Sequence, residues 1–139
     1  MPQDGSTAIQ ALYDAFAHGD VPFVMSRFSP ELVWNEAENS TYADRNPYVG
    51  PQAVLEGVFA RLATEWDGYT VTAEEIVGAG DTVIACGRYR GTFKASGVAV
   101  NAQFVHVWRL RDGLVVGFQQ YTDTAQFRDA AGHHRSAIA

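Results

Sequence analysis

Three polar side chains stand inside otherwise apolar runs of this sequence: Glu36 in "LVWNEAEN", His106 in "FVHVWRL" and Gln120 in "GFQQYTD". A carboxylate drawn out of water gains basicity because burial penalises its charged form. Glu36 on a short strand running into a pocket would therefore serve as a general base. An imidazole titrates near neutral pH and can act as acid, as base or as donor to a carbonyl oxygen, the roles open to His106. An amide exchanges no proton usefully, so Gln120 would orient a ligand or fix the tautomer of His106. Whether the three meet depends on strand phase. Asn35 and Glu36 compete for the inward position, since a shift of one residue exchanges them. Glu38 falls where strand gives way to loop and is expected at the rim or in solvent.

The stretch from Phe104 to Asp123 reads as two strands joined by Arg111-Asp112-Gly113. Two registers compete. A two-residue Asp112-Gly113 turn pairs Arg111 with Leu114 and sets His106 opposite Gln119. A type I turn with Gly113 as a bulge pairs Leu110 with Leu114 and sets His106 opposite Phe118. The second gathers Phe104, Trp108, Leu110, Leu114, Val116 and Phe118 on one face. It leaves Val105, Val107, Arg109, Gly117, Gln119 and Tyr121 on the other. The more coherent apolar face selects this bulged register. His106 and Gln120 are then diagonal neighbours roughly 7–8 Å apart at the backbone. They reach into one apolar concavity, where a few placed polar groups would orient a ligand.

The elements that must build this concavity are readable along the chain. Ser6 can cap a first helix with Ile9, Leu12, Phe16 and Ala17 on one face. Gly19 suits its left-handed end, and Asp20 can cap a short second helix over "VPFVMSRF". "ELVWNEA" is a short extended run, and "ENSTYADRNPYVG" a loop with a brief strand near Tyr42. Gly50-Pro51 opens a third helix with Leu55, Phe59, Leu62 and Trp66 at helical spacing. After Gly68 the period becomes two, and "YTVTAEEIV", "TVIACGRYRGTF", "VAVNAQFVHVWRL" and "LVVGFQQYT" form an antiparallel meander. Residues 129–139 read as a flexible tail after at most one helical turn. Helices first and long strands second make an α+β fold. A cone-shaped, curved antiparallel sheet of four long strands and a short one would carry three N-terminal helices on its concave face.

Composition narrows the partners. The 139 residues suit a single domain, 1–139, and ten basic against sixteen acidic residues give a net charge of −6. With no basic stripe to attract phosphate, neither nucleic acid nor an anionic membrane is an expected partner. A lone Cys86, no signal-like N-terminus and no membrane-length apolar span fit a cytoplasmic location. The four histidines lack the spacing of ligands on an ordered element, so no metal site is expected. No phosphate-cradling glycine loop suggests a cofactor, "GAGD" being a hairpin turn.

The order of elements, together with "YVGPQAVLEGVF", "GDTV" and "HVWRLRDGLVVGFQQYTDTAQF", resembles the nuclear transport factor 2-like superfamily. Within it the chain is similar to the ketosteroid-isomerase-like and SnoaL-like polyketide cyclase branch, over about residues 6 to 128. The resemblance implies a sheet wrapped around a deep pocket closed by the helices. It also implies positions. The isomerase's general-base aspartate matches Glu36, and its protonated oxyanion-hole aspartic acid matches His106, where the cyclases also carry histidine. The cyclases' catalytic aspartate matches Gln120, and the isomerase's oxyanion tyrosine matches Leu12. Gly87 and Tyr89 stand where the epoxide hydrolase of this fold has an arginine and an aspartate. With Gln120 and Leu12 in place, the aspartate-driven mechanisms lose their acid and the oxyanion hole loses one donor.

The expectation is a cofactor-independent isomerase, cyclase or lyase acting on an apolar, ring-bearing molecule, with a non-catalytic carrier or dimeric interaction module as the alternative. Glu36 would be base, His106 acid or oxyanion donor, and Gln120 orienter. Trp34, Tyr42, Phe59, Leu62, Trp66, Tyr89, Phe104, Trp108 and Phe118 would line the pocket. Tyr42, Tyr48 and Tyr89 could supply hydroxyls, although packing plus one hydrogen bond explains each equally well. Val105, Val107 and Tyr121, with Ile84, Cys86 and nearby arginines, would form an outer face buried in a homodimer, as the resemblance also implies.

Overall fold

The computed structural model of the protein describes residues 5–132. Helix α1 (Ser6–Ala17) is followed by α2 (Val21–Ser26) and strand β1 (Phe28–Asn35). A 3-10 turn (Thr41–Arg45) leads to the short strand β2 (Tyr48–Val49). The next helical segment has three parts: α3 (Pro51–Val54), a π turn (Leu55–Phe59) and α4 (Ala60–Glu65). Strands β3 (Trp66–Ala79), β4 (Thr82–Phe93), β5 (Ala99–Arg111) and β6 (Leu114–Thr122) precede a last helix, α5 (Thr124–Ala130).

The six strands form one curved, unclosed sheet in the order β2-β1-β6-β5-β4-β3. The meander β3-β4-β5-β6 is antiparallel throughout, as its period of two indicates. The sheet is not wholly antiparallel, however, because β1 joins β6 in parallel. That pairing crosses from the start of the chain to its end, and no local sequence pattern announces it. The brief strand also lies at Tyr48–Val49, while Tyr42 sits in the 3-10 turn.

The helices bury what their spacing offers. In α1 the buried positions are Ile9, Leu12, Tyr13 and Ala15, while Ala17 is exposed. Ser6 is the first helical residue and Gly5 the cap, so Ser6 does not cap it. Gly19 takes the left-handed conformation at φ 69°, and Asp20 caps α2 by accepting from the Phe23 amide at 3.2 Å. The third helix departs from simple periodicity. Its π turn adds one residue to the winding and rotates the face, so Val54, Gly57 and Val58 are buried while Leu55, Phe59 and Leu62 are half-buried. Trp66 has left the helix and starts β3. Asp129 and Ala130 belong to α5, so the helical turn after β6 is longer than the sequence suggests; the remainder of the tail, including His133-His134, lies outside the described residues.

The last hairpin takes neither register read from the sequence. Asp112 (φ 53°) and Gly113 (φ 79°) form a two-residue turn with both central residues left-handed, which pairs Arg111 with Leu114. A bulge follows at Val116: Leu110 pairs with Val115, and Arg109 with Gly117. The extra residue restores the inward phase beyond it, so Phe118 and Gln120 face the helices together with Val115. Leu114 and Val116 are accordingly half-buried and not part of the core. His106 lies directly opposite Gln120, not diagonal to it. The bulge occurs beside the irregular start of β1, where the pairs Phe28–Val115 and Val33–Gly117 bracket five residues of β1 against two of β6.

Candidate functional site

Alternation along β1 turns Leu32, Trp34 and Glu36 inward and Val33 and Asn35 outward. This settles the competition between neighbours: Glu36 is 4% exposed and lines the cavity, whereas Asn35 borders a groove on the outer face of the sheet. The cavity has a volume of about 380 Å³, enough for a small ring system. Its sheet wall includes Trp34, Tyr89, His106, Trp108, Phe118 and Gln120. Helices α1 and α4 and the π turn add Tyr13, Phe16, Phe59 and Leu62, and α5 adds Phe127. Tyr42 closes one side from the 3-10 turn. Two expected wall residues stand behind it. Phe104 stacks flat on the His106 ring at 3.9 Å between centroids, and Trp66 packs among Tyr69, Phe93 and Phe127. Glu38 is exposed.

Glu36 carries the chemistry most directly. Its Oε2 accepts a hydrogen bond from Trp34 Nε1 at 2.8 Å. Burial pushes its pKa up to about 7; the Trp34 bond and the distant Arg61 charge restrain the rise. The backbone on either side is pinned. Asn46 receives the Glu36 amide at 3.0 Å and donates to the Glu36 carbonyl at 2.8 Å. The Ala37 amide donates to Gln120 Oε1 at 3.0 Å.

His106 is 3% exposed, and both its ring nitrogens are occupied by tyrosines. The Tyr13 hydroxyl meets Nδ1 at 2.6 Å, and the Tyr89 hydroxyl meets Nε2. Burial among aromatic rings lowers its pKa to about 3, so the imidazole is neutral near pH 7. It therefore acts on the cavity through the two hydroxyls and not through its own N–H. Burial also raises both phenols and keeps them protonated.

Tyr13 is the residue that the sequence reading missed. Leu12 was matched to the helix-one tyrosine position, yet Leu12 is core, and its neighbour Tyr13 reaches the histidine. The signal was present: Tyr13 stands four residues after the buried Ile9, on the same helix face. Tyr42 and Tyr48 are committed elsewhere. Tyr42 donates to Glu65 and accepts from Trp66 Nε1 at 3.1 Å, while Tyr48 donates to the Tyr42 carbonyl at 2.5 Å. Arg61 holds this rim. It pairs with both oxygens of Asp44 at 2.8 and 2.9 Å and lies 4.6 Å from the centre of the Tyr42 ring. Among the described residues, no group of three or more His, Cys, Asp or Glu could hold a metal ion, and no helix is long and apolar enough to cross a membrane.

Comparison with known proteins fits this geometry. No protein of curated function matches the chain. Among solved structures, an NTF2-like protein from Burkholderia thailandensis E264 is 33% identical, over 94% of this chain and 98% of that one, with a TM-score of 0.88. TerC, co-crystallised with polyporic acid, is 25% identical over 92% of this chain and 98% of that one, with a TM-score of 0.79. IdmH from Streptomyces antibioticus, a putative polyketide cyclase by its description, is 24% identical over 94% and 99%, with a TM-score of 0.74, and shares the fold. A model of the SnoaL-like domain matches residues 9–118, most of the chain, so this protein belongs to the SnoaL-like family within the nuclear transport factor 2-like superfamily.

Proposed function

We propose that this protein is a cofactor-independent acid–base enzyme, an isomerase, cyclase or lyase, acting on an apolar, ring-bearing molecule held in the cavity. The observation that carries the reading is Glu36: a buried carboxyl whose pKa is pushed to about 7 and which faces an aromatic cavity wall. Such a group is half ionised near neutral pH, where a general base is most effective. Glu36 would take a proton from carbon next to a carbonyl and return it at a second position. The Tyr13–His106–Tyr89 group would meet the negative charge that develops on oxygen. Gln120 would be a positioning residue, because both ends of its amide are engaged, with Ala37 and with Tyr89. That TerC was co-crystallised with polyporic acid, and a Catenulispora acidiphila protein of this fold with trimethylamine, supports a small-molecule ligand.

One observation favours the alternative of a ligand carrier: the second acid of the cyclases is here an amide, leaving Glu36 as the one carboxylate in the cavity wall. A panel of ring-bearing enones, β-keto esters and epoxides separates the two. Turnover by the parent that falls roughly 10²-fold or more in Glu36→Gln supports the enzyme. Tight binding without turnover of any of them supports the carrier.

We further propose that the outer face of the sheet is buried in a homodimer. Tyr121 is 56% exposed, and it borders a groove with Val107, Arg109 and Gln119, a mixed apolar and arginine surface suited to a second copy.

A further inference from the structure

Gln120 and Trp108 terminate one buried hydrogen-bond chain, and both are obliged to donate into it. The Ala37 N–H can only donate, so its bond to Gln120 fixes which end of the amide is oxygen. Gln120 Nε2 therefore faces the Tyr89 hydroxyl as donor, at 2.8 Å. At the other end Trp108 Nε1 donates to the Tyr13 hydroxyl at 2.9 Å. Between the two tyrosines lie two links, one to each ring nitrogen of His106.

Each link takes one hydrogen. Three are present: two phenolic hydrogens and the single N–H of a neutral imidazole. Neither terminal group can accept the third. One phenolic hydrogen is thus left over in either tautomer of His106. It is Tyr13's when Nδ1 carries the proton and Tyr89's when Nε2 does.

We propose that this spare hydrogen is delivered from Tyr89 into the cavity, and that the ligand is a ring-bearing ketone, or its enolate, whose oxygen accepts it within reach of Glu36. Position favours Tyr89 over Tyr13. Tyr89 is linked through Gln120 to the amide of Ala37, the residue next to Glu36. The negative charge of Glu36 acts on Tyr89 and is not among the influences on Tyr13. Tyr13 is instead enclosed by Phe16, Phe104, His106 and Trp108. With Nε2 protonated, Tyr13 donates to Nδ1, Nε2–H donates to Tyr89, and the Tyr89 O–H points at the ligand. The balance of the step is simple. The C–H bond beside the carbonyl breaks, its proton goes to Glu36, and the electron pair moves onto the oxygen held by Tyr89. No co-reactant is needed.

This inference rests on the cavity being the ligand site, and the test separates the two. The probes are 1-tetralone and tetralin, the same ring system with and without the ketone oxygen. Their affinities are measured for the parent, Tyr89→Phe and Tyr13→Phe, and the tautomer of His106 is read from its 15N chemical shifts in the parent bound to 1-tetralone. The expected result is a neutral His106 protonated on Nε2 in that complex. The preference for tetralone over tetralin should fall about tenfold in Tyr89→Phe and persist in Tyr13→Phe. If both probes bind but His106 carries its proton on Nδ1, or the preference ignores Tyr89, the inference falls while the cavity reading stands. If neither probe binds the parent, the cavity reading falls and takes the inference with it.

Discussion

Trp34 and Glu36 stand two residues apart on the inward face of β1, and the indole N–H of one holds the carboxyl of the other at 2.8 Å. The spacing lets one strand supply both a base and the donor that moderates its basicity. Because that donor stabilises the carboxylate, Trp34→Phe should raise the pKa of Glu36 above its value in the parent. The pH at which activity reaches half its plateau should move upward, and a pH profile of kcat/KM checks this.

The same carboxyl governs stability. Its pKa is about 7 in the fold against 4.5 ordinarily, so the folded state holds a proton that the unfolded chain releases. Stability from this group is complete below about 4.5 and is lost as pH rises through about 7, a loss of roughly 3 kcal/mol. His106 acts in the opposite window. Its pKa is lowered from 6.5 to about 3, so its contribution is present above 6.5 and lost as pH falls toward 3. Glu36→Gln should therefore gain stability relative to the parent between pH 5 and pH 8, measured by urea denaturation at both values.

Gly57 is required by contact. A Cβ there would come within 2.3 Å of Tyr48 Cε2, and Tyr48 is itself 2% exposed and hydrogen-bonded by Arg61 at 2.9 Å. With no room for the ring to withdraw, Gly57→Ala should cost about 1–3 kcal/mol. It should also loosen the π turn that carries Phe59 to the cavity. Thermal denaturation checks the first effect, and weaker binding of an apolar probe the second.

Much of this site was legible because strand alternation is a strong signal. His106, Trp108, Phe118 and Gln120 share a face once the hairpin is recognised, and Asp20 and Gly19 announced their turn by residue type. What stayed hidden depended on single inserted residues. The bulge at Val116 and the π turn at 55–59 each shift a phase by one position without a distinctive composition. The first put His106 opposite Gln120; the second released Trp66 from the helix. Tyr13 was hidden for another reason. Its spacing marked it as buried, but only the partner 93 residues away gives its hydroxyl a purpose.

The proposed homodimer has its own check. Val107 is half-buried on the outer face and borders the groove with Tyr121. Val107→Glu would bury an unpaired charge in a symmetric contact. Light scattering should then show monomer or aggregate in place of dimer. A dimer unchanged by the substitution would move the interface elsewhere.

Proton abstraction can be observed without knowing the natural substrate. The α-hydrogens of 1-tetralone exchange with deuterium when a base removes them beside a carbonyl, and NMR follows their loss in D2O. The parent protein should accelerate this exchange above buffer, with a rate that rises through about pH 7 as Glu36 ionises. Glu36→Gln should lower the acceleration roughly 10²-fold or more while leaving the fold intact. Exchange by Glu36→Gln that matches the parent across this range would contradict Glu36 as the base.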